Sequence, residues 1–201
     1  MLTHKGTQTI ETPRLILRPF TMADAEPMFR NWASDDEVTK FLSWPTHASV
    51  EVTKMVLTDW TGSYCRPDFY NWAIILKENG PEPIGNIAAF RIDEKIDCAT
   101  IGYCMSRTHW GKGIMAEALK ALVDYLFEEV GCNRIEAYHD SNNPNSGRVM
   151  QKSGMTYEGT MRQAGCNNQG QKNHGNDRPF GSHGSTSPSY SMRGSRISPR
   201  T

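Results

Sequence analysis

The stretch Trp110-Gly111-Lys112-Gly113-Ile114-Met115-Ala116-Glu117-Ala118-Leu119 decides how this chain is read. It lies where a strand hands over to a helix. Upstream, residues 99–105 (ATIGYCM) form an apolar run of strand length. Downstream, Leu119, Leu122, Val123, Leu126, Phe127 and Val130 recur at three- and four-residue spacing, which is one apolar face of a helix. Two glycines at such a turn let backbone come close to a ligand, and the helix start offers unpaired N–H groups at a positive dipole end. The turn therefore reads either as a pyrophosphate cradle or as tight helix–strand packing. It is not a P-loop, because G-x-x-x-x-G-K-[ST] is absent. Ala116 stands where G-x-G-x-x-G would have its third glycine, and no acidic residue ends a strand about 20 residues on.

Outward from the turn, Arg14-Leu15-Ile16-Leu17-Arg18 predicts a first strand closed by Pro19. Thr21 predicts an N-cap for a helix running towards Trp32. A second helix begins after Ser49, with Val52, Val56 and Trp60 on one face and Met55 extending it. Between the two, Phe41 and Trp44 in Phe41-Leu42-Ser43-Trp44-Pro45 either plug the core or wall a substrate pocket. Residues 72–76 (WAIIL), 84–90 and 99–105 follow at short spacing and predict an antiparallel meander. After the long helix, residues 134–139 (RIEAYH) predict a strand parallel to 99–105, as a right-handed crossover requires. Asn143-Pro144 is an N-cap followed by proline at the first helical position, and the short helix stops at Gly154. Thr156-Tyr157-Glu158 begins another strand. The fold class is α/β, an α+β mixed sheet rather than a doubly wound one.

Size and composition bound the function. The chain has 201 residues, 37% of them hydrophobic, enough for one domain with a real core. Its 22 basic and 22 acidic residues balance, so no basic field argues for nucleic acid. Five cysteines (Cys65, Cys98, Cys104, Cys132, Cys166) are scattered, which argues against a disulfide framework or a zinc site and for free thiols in a reducing cytoplasm. No signal peptide opens the chain and no apolar run reaches membrane-span length, so no membrane partner is expected.

Four local patterns together resemble the GNAT superfamily of acyl-CoA-dependent N-acyltransferases, and within it the branch of bacterial ribosomal-protein N-terminal acetyltransferases. Glu11-Thr12-Pro13-Arg14-Leu15-Ile16-Leu17-Arg18 is similar to that branch's opening strand. Ile101-Gly102-Tyr103 followed by Trp110-Gly111-Lys112-Gly113 is similar to its acyl-CoA motif. Asn143-Pro144-Asn145-Ser146 with Val149 is similar to its N-x-x-S-x-x-V helix start, and residues 152–159 (KSGMTYEG) to its K-x-G-F-x-x-E-G ending. In order and spacing the patterns cover residues 10–170.

The resemblance implies an acyl-CoA fold with an antiparallel meander, a splayed parallel strand pair and helices on both faces. It implies acetyl-CoA as co-substrate, no metal, and direct attack by a primary amine in a ternary complex. The acceptor so implied is a peptide or protein N-terminus, with a small amine as the alternative and homodimerisation left open. Two other readings stand beside it: a non-catalytic acyl-CoA-binding protein, and a truncated product without function.

Carried over residue by residue, the resemblance places the CoA pyrophosphate on the backbone of Gly111, Lys112, Gly113, Ile114, Met115 and Ala116. The pantetheine arm lies along Tyr103, Cys104 and Met105. Asn143 bonds the arm, and Ser146 protonates the departing thiolate. Thr100 stands where many relatives have a glutamate, and Gly165 where the ribosomal-protein enzymes have an acidic residue, so no general base is named.

The chain changes character after about Gly170. Residues 171–201 hold Ile197 as their sole Ile, Leu or Val and are rich in Gly, Ser and Pro, with five Lys or Arg against Asp177. Such a segment predicts a disordered, dispensable basic tail. A final apolar strand is expected to be missing, as a shifted reading frame near residue 170 would produce. The organisation so predicted is a lead-in over 1–9, the acetyltransferase domain over 10–165 and the tail over 171–201.

Overall fold

The computed structural model describes residues 1–161, 168 and 187–193. One sheet organises them. Its strands are β1 (Ile10–Glu11), β2 (Leu15–Arg18), β3 (Tyr70–Leu76), β4 (Pro83–Asp93), β5 (Cys98–Met105), β6 (Arg134–Tyr138), β7 (Thr156–Met161) and β8 (Ser187–Arg193). Their order across the sheet is β1-β2-β3-β4-β5-β6-β8-β7. Every neighbouring pair is antiparallel except β5 and β6. The expected meander is therefore present as β3-β4-β5, and the expected parallel pair as β5 and β6.

Burial explains the sheet's two faces. Every residue of β3 is buried: the apolar run over 72–76 is covered on both faces, and the buried Asn71 side chain accepts from the Asn86 amide. Tyr70, Trp72, Ile74 and Leu76 face one core, together with Leu119, Leu122, Val123 and Leu126 of the long helix α4 (Ile114–Tyr125) and its π-turn continuation to Val130. Ala73 and Ile75, on the alternate positions, face a second core. That core is closed by the turn and short helix α1 (Ala25–Met28), by α2 (Asp36–Thr39) and by α3 (Val50–Ser63). Cys98 and Cys104 are buried free thiols.

Three expectations need correcting. Helix α3 begins after Ser49 as read, but its inner stripe is Val50, Thr53, Leu57 and Trp60, and Met55 is exposed. That stripe keeps the three- and four-residue steps of a helix one position away from the expected face. The lead-in over 1–9, which its composition predicts to be loose, is docked: Thr3 N–H donates to the Val130 carbonyl, Gly6 N–H to that of Pro67, and the Trp72 indole to that of Gln8 at 2.6 Å.

The largest correction is β8. A strand was expected to be missing from the tail, yet Ser187–Arg193 pairs with β6 on one side and β7 on the other. Its Tyr190 is buried in the main core, and Ser191, on the opposite face, bonds Glu158. The remainder of the 171–201 segment, whose disorder was expected, lies outside the described residues.

Candidate active site

Strands β5 and β6 hold parallel register from Cys98↔Arg134 to Ile101↔Ala137 and then part. Helix α5 (Pro144–Lys152) starts just past the end of β6, and the Gly111–Gly113 turn just past the end of β5. A cavity of about 420 Å³ opens between them. Tyr103, Cys104 and Met105 line it from β5, residues 142–146 from the loop and helix start, and Gly111, Gly113, Ile114, Met115 and Ala116 from the turn. Of the expected cofactor residues, Lys112 alone is not part of the lining. Its carbonyl instead accepts from Arg14 Nη1 at 3.2 Å.

The turn has the geometry that two glycines allow. Gly111 and Gly113 sit at φ +77° and +74°, in the left-handed region that L side chains avoid. Among the described residues nothing would meet a Cβ at Gly111, and only Arg14 Nη2 comes within 4 Å of one at Gly113. The backbone there is open to a ligand. Trp110 closes the preceding loop, its indole N–H donating to the Met105 carbonyl at 2.8 Å.

Arg14, expected inside the opening strand, lies just before β2 and braces the turn. Its Nε donates to Glu117 Oε2 at 2.6 Å, and Thr12 Oγ1 donates to Glu117 Oε1, also at 2.6 Å. Burial alone would raise the Glu117 pKa; the Thr12 hydroxyl and the Arg14 guanidinium and N–H override it and hold the carboxyl below its ordinary range. A charged residue just before the opening strand was the signal in the sequence, but its partner lies 103 residues away.

On the other wall, Asn143 caps α5. Its side chain accepts from Ser146 N–H, and Pro144 occupies the first helical position, as expected. The Ser146 hydroxyl lies 3.0 Å from the Tyr103 hydroxyl, which also donates to the Ser146 carbonyl at 2.9 Å. Cys104 is a poor nucleophile here, because burial pushes its thiol up to about 12. Arg148 and Lys152 add positive charge to the α5 side of the lining.

Phe41 joins the lining together with Glu37, Val38 and Leu42. Trp44 does not: its ring packs on buried His47, 5.3 Å between centroids, in the second core. Asn168 ties this wall down, with its N–H on the Leu42 carbonyl at 2.8 Å and its amide on the Thr39 carbonyl at 3.0 Å. Glu158 of β7 is not part of the lining; it pairs with Arg134 of β6 and accepts from the Ser191 hydroxyl of β8.

The parallel pair thus splits with a glycine turn at one lip and, at the other, the start of α5, where Asn143 is the cap and Ser146 faces Tyr103. Residues 14–156 match the acetyltransferase (GNAT) domain family, and the chain belongs to that family. It is 33% identical over 155 residues to the N-acetyltransferase p20 of Bacillus licheniformis, covering 77% of this chain and 86% of that one. It is 28% identical over 123 residues to the ribosomal-protein-serine acetyltransferase of Escherichia coli (strain K12), covering 61% of this chain and 68% of that one. Among solved structures, the RimL ribosomal L7/L12 alpha-N-protein acetyltransferase in complex with coenzyme A superposes with a TM-score of 0.75 at 20% identity, over 92% of this chain and 98% of that one. That likeness shows the fold.

Proposed function

We propose that the cavity takes acetyl-CoA and that the protein transfers the acetyl group to a primary amine, in the first place the N-terminal α-amine of a protein. The observation that carries this is one continuous lining that joins Gly111 and Gly113 to Asn143, Ser146 and Tyr103. The pyrophosphate suits the open backbone of residues 111–116, at the start of a helix of 12 residues whose positive end faces it. Arg148 and Lys152 complement the remaining phosphate charge. The pantetheine arm follows the end of β5 into the split.

There the thioester carbonyl lies beside the amine. Holding the two in place supplies, in favourable cases, about 7–11 kcal/mol of the barrier. Glu37 is the carboxylate among the described residues that line the cavity, and its exposed side chain suits an arriving ammonium group. Ser146 donates its proton to the departing thiolate. The relatives named for ribosomal proteins support a protein N-terminus over a small amine.

Thiol release from acetyl-CoA against a panel of N-terminal peptides and small amines, with products weighed by mass spectrometry, tests the reading. Acetylation of peptide α-amines is the expected result. Turnover with small amines alone moves the acceptor class, and no turnover with tight acetyl-CoA binding favours a non-catalytic binder. Ser146→Ala should lower kcat at least tenfold, about 1.4 kcal/mol of transition-state stabilisation, with KM for acetyl-CoA little changed.

A further inference from the structure

Tyr103 sits two residues past the last in-register pair of β5 and β6, so it keeps the face of Ile101 and stands at the mouth of the split. Its ring packs against the main core, while its hydroxyl meets two oxygens of one residue, the Ser146 carbonyl at 2.9 Å and Ser146 Oγ at 3.0 Å. A carbonyl can only accept, so the tyrosine O–H donates to it, and Ser146 Oγ–H then donates to the phenol oxygen. One rotation about the phenol C–O bond carries the tyrosine proton from the carbonyl to Oγ. No heavy atom moves. Burial raises the Tyr103 pKa, so the phenol stays a neutral donor at neutral pH.

We propose that Tyr103 is a positioning residue for proton transfer: its hydroxyl aims Ser146 Oγ at the thioester and donates to that oxygen while Ser146 gives up its proton. The proposal rests on the reading of Ser146 as the proton donor. In the step, the acceptor nitrogen forms a bond to the carbonyl carbon and becomes positively charged. The C–S bond breaks and its electron pair stays on sulfur. The Ser146 proton passes to that sulfur, and Oγ takes a proton from the nitrogen. Amine and thioester become amide and thiol, and Ser146 ends as it began. The Tyr103 proton is not consumed; it stabilises charge on Oγ at the moment that charge develops.

A double-mutant cycle tests this with parent, Tyr103→Phe, Ser146→Ala and both together, each assayed for kcat, KM and acetyl-CoA Kd. Tyr103→Phe keeps the ring and removes the oxygen. It should lower kcat about tenfold, leave the acetyl-CoA Kd within about twofold, and add nothing in the Ser146→Ala background. Parental kcat in Tyr103→Phe beside a crippled Ser146→Ala overturns the proposal and leaves the Ser146 reading standing. Losses that multiply in the double variant overturn it too, since the two groups would then act separately. A loss of acetyl-CoA affinity as large as the loss in kcat/KM makes Tyr103 a packing residue. If Ser146→Ala itself turns over like the parent, the Ser146 reading fails, and the Tyr103 proposal fails with it.

Discussion

Residues 98–152 and residues 187–193 build adjacent parts of one sheet, yet they announce themselves in opposite ways. The first stretch carries an apolar strand, a glycine turn, a helix with six buried residues in its first ten positions, and a capped second helix. Each element could be predicted from its own neighbours. The second stretch, Ser-Pro-Ser-Tyr-Ser-Met-Arg, holds no Ile, Leu or Val. It is nevertheless an inner strand, with Tyr190 at 6% exposure. A strand that neighbours on both sides already frame needs only to fit the pleat. Serine alternating with Tyr190 and Met192 has the period of two that fits it.

The sharpest way to break that comparison is at Tyr190. Its ring lies 5.4 Å from Tyr157 and 5.6 Å from His139, between centroids, so it holds β7 and the end of β6 together. Tyr190→Ala should cost about 3–5 kcal/mol, the usual range for truncating a buried aromatic. Denaturant unfolding of parent and variant measures it. A change near zero would mean that this stretch contributes no strand to the folded protein, and the tail would revert to a dispensable one.

Gly113→Val is expected to act next most strongly, and on binding rather than folding. A branched side chain at φ +74° costs roughly 1–2 kcal/mol of backbone strain and fills the open approach at the turn. Calorimetric titration with acetyl-CoA should show at least a tenfold weaker Kd in a protein that still melts cooperatively. An unchanged Kd would remove the pyrophosphate from this turn. The cofactor half of the molecule would then be no better assigned than the acceptor half.

What could be read in advance follows the range of each interaction. The glycine turn, the Asn143 cap and the meander rest on contacts within a few residues, and their signals survive in one sequence. The site's other parts depend on pairs distant in sequence. The Tyr103 and Ser146 oxygens meet across 43 residues, and Arg14 meets Glu117 across 103. Spacing alone does not bring such residues together. Trp44 shows the same limit at short range: an aromatic in a connector could face either the cavity or the core, and its packing on His47 decides for the core. The β8 strand was missed because aliphatic content was weighed where alternation carried the signal.

The smallest expected effect sharpens the cofactor half itself. The Glu117 carboxyl takes the Arg14 guanidinium, the Arg14 N–H at 3.1 Å and the Thr12 hydroxyl, and these hold its pKa below the ordinary value against burial. A carboxylate whose folded pKa is depressed contributes stability above its unfolded pKa of about 4.3, and loses that contribution as pH falls through the folded value. Glu117→Gln keeps the shape and removes the charge. With Arg14 about half exposed, solvent screens the pair, so the variant should lose about 1 kcal/mol at pH 7. Below the folded pKa the parent has lost its charge as well, and the two proteins should converge. Unfolding free energies measured from pH 7 down to pH 3 test this. The parent's steeper fall through the acid range is the signature, because the charge and not the packing of residue 117 is what titrates. Parallel curves over that range would mean that the brace is steric, and that Arg14 holds the glycine turn through the Lys112 carbonyl alone.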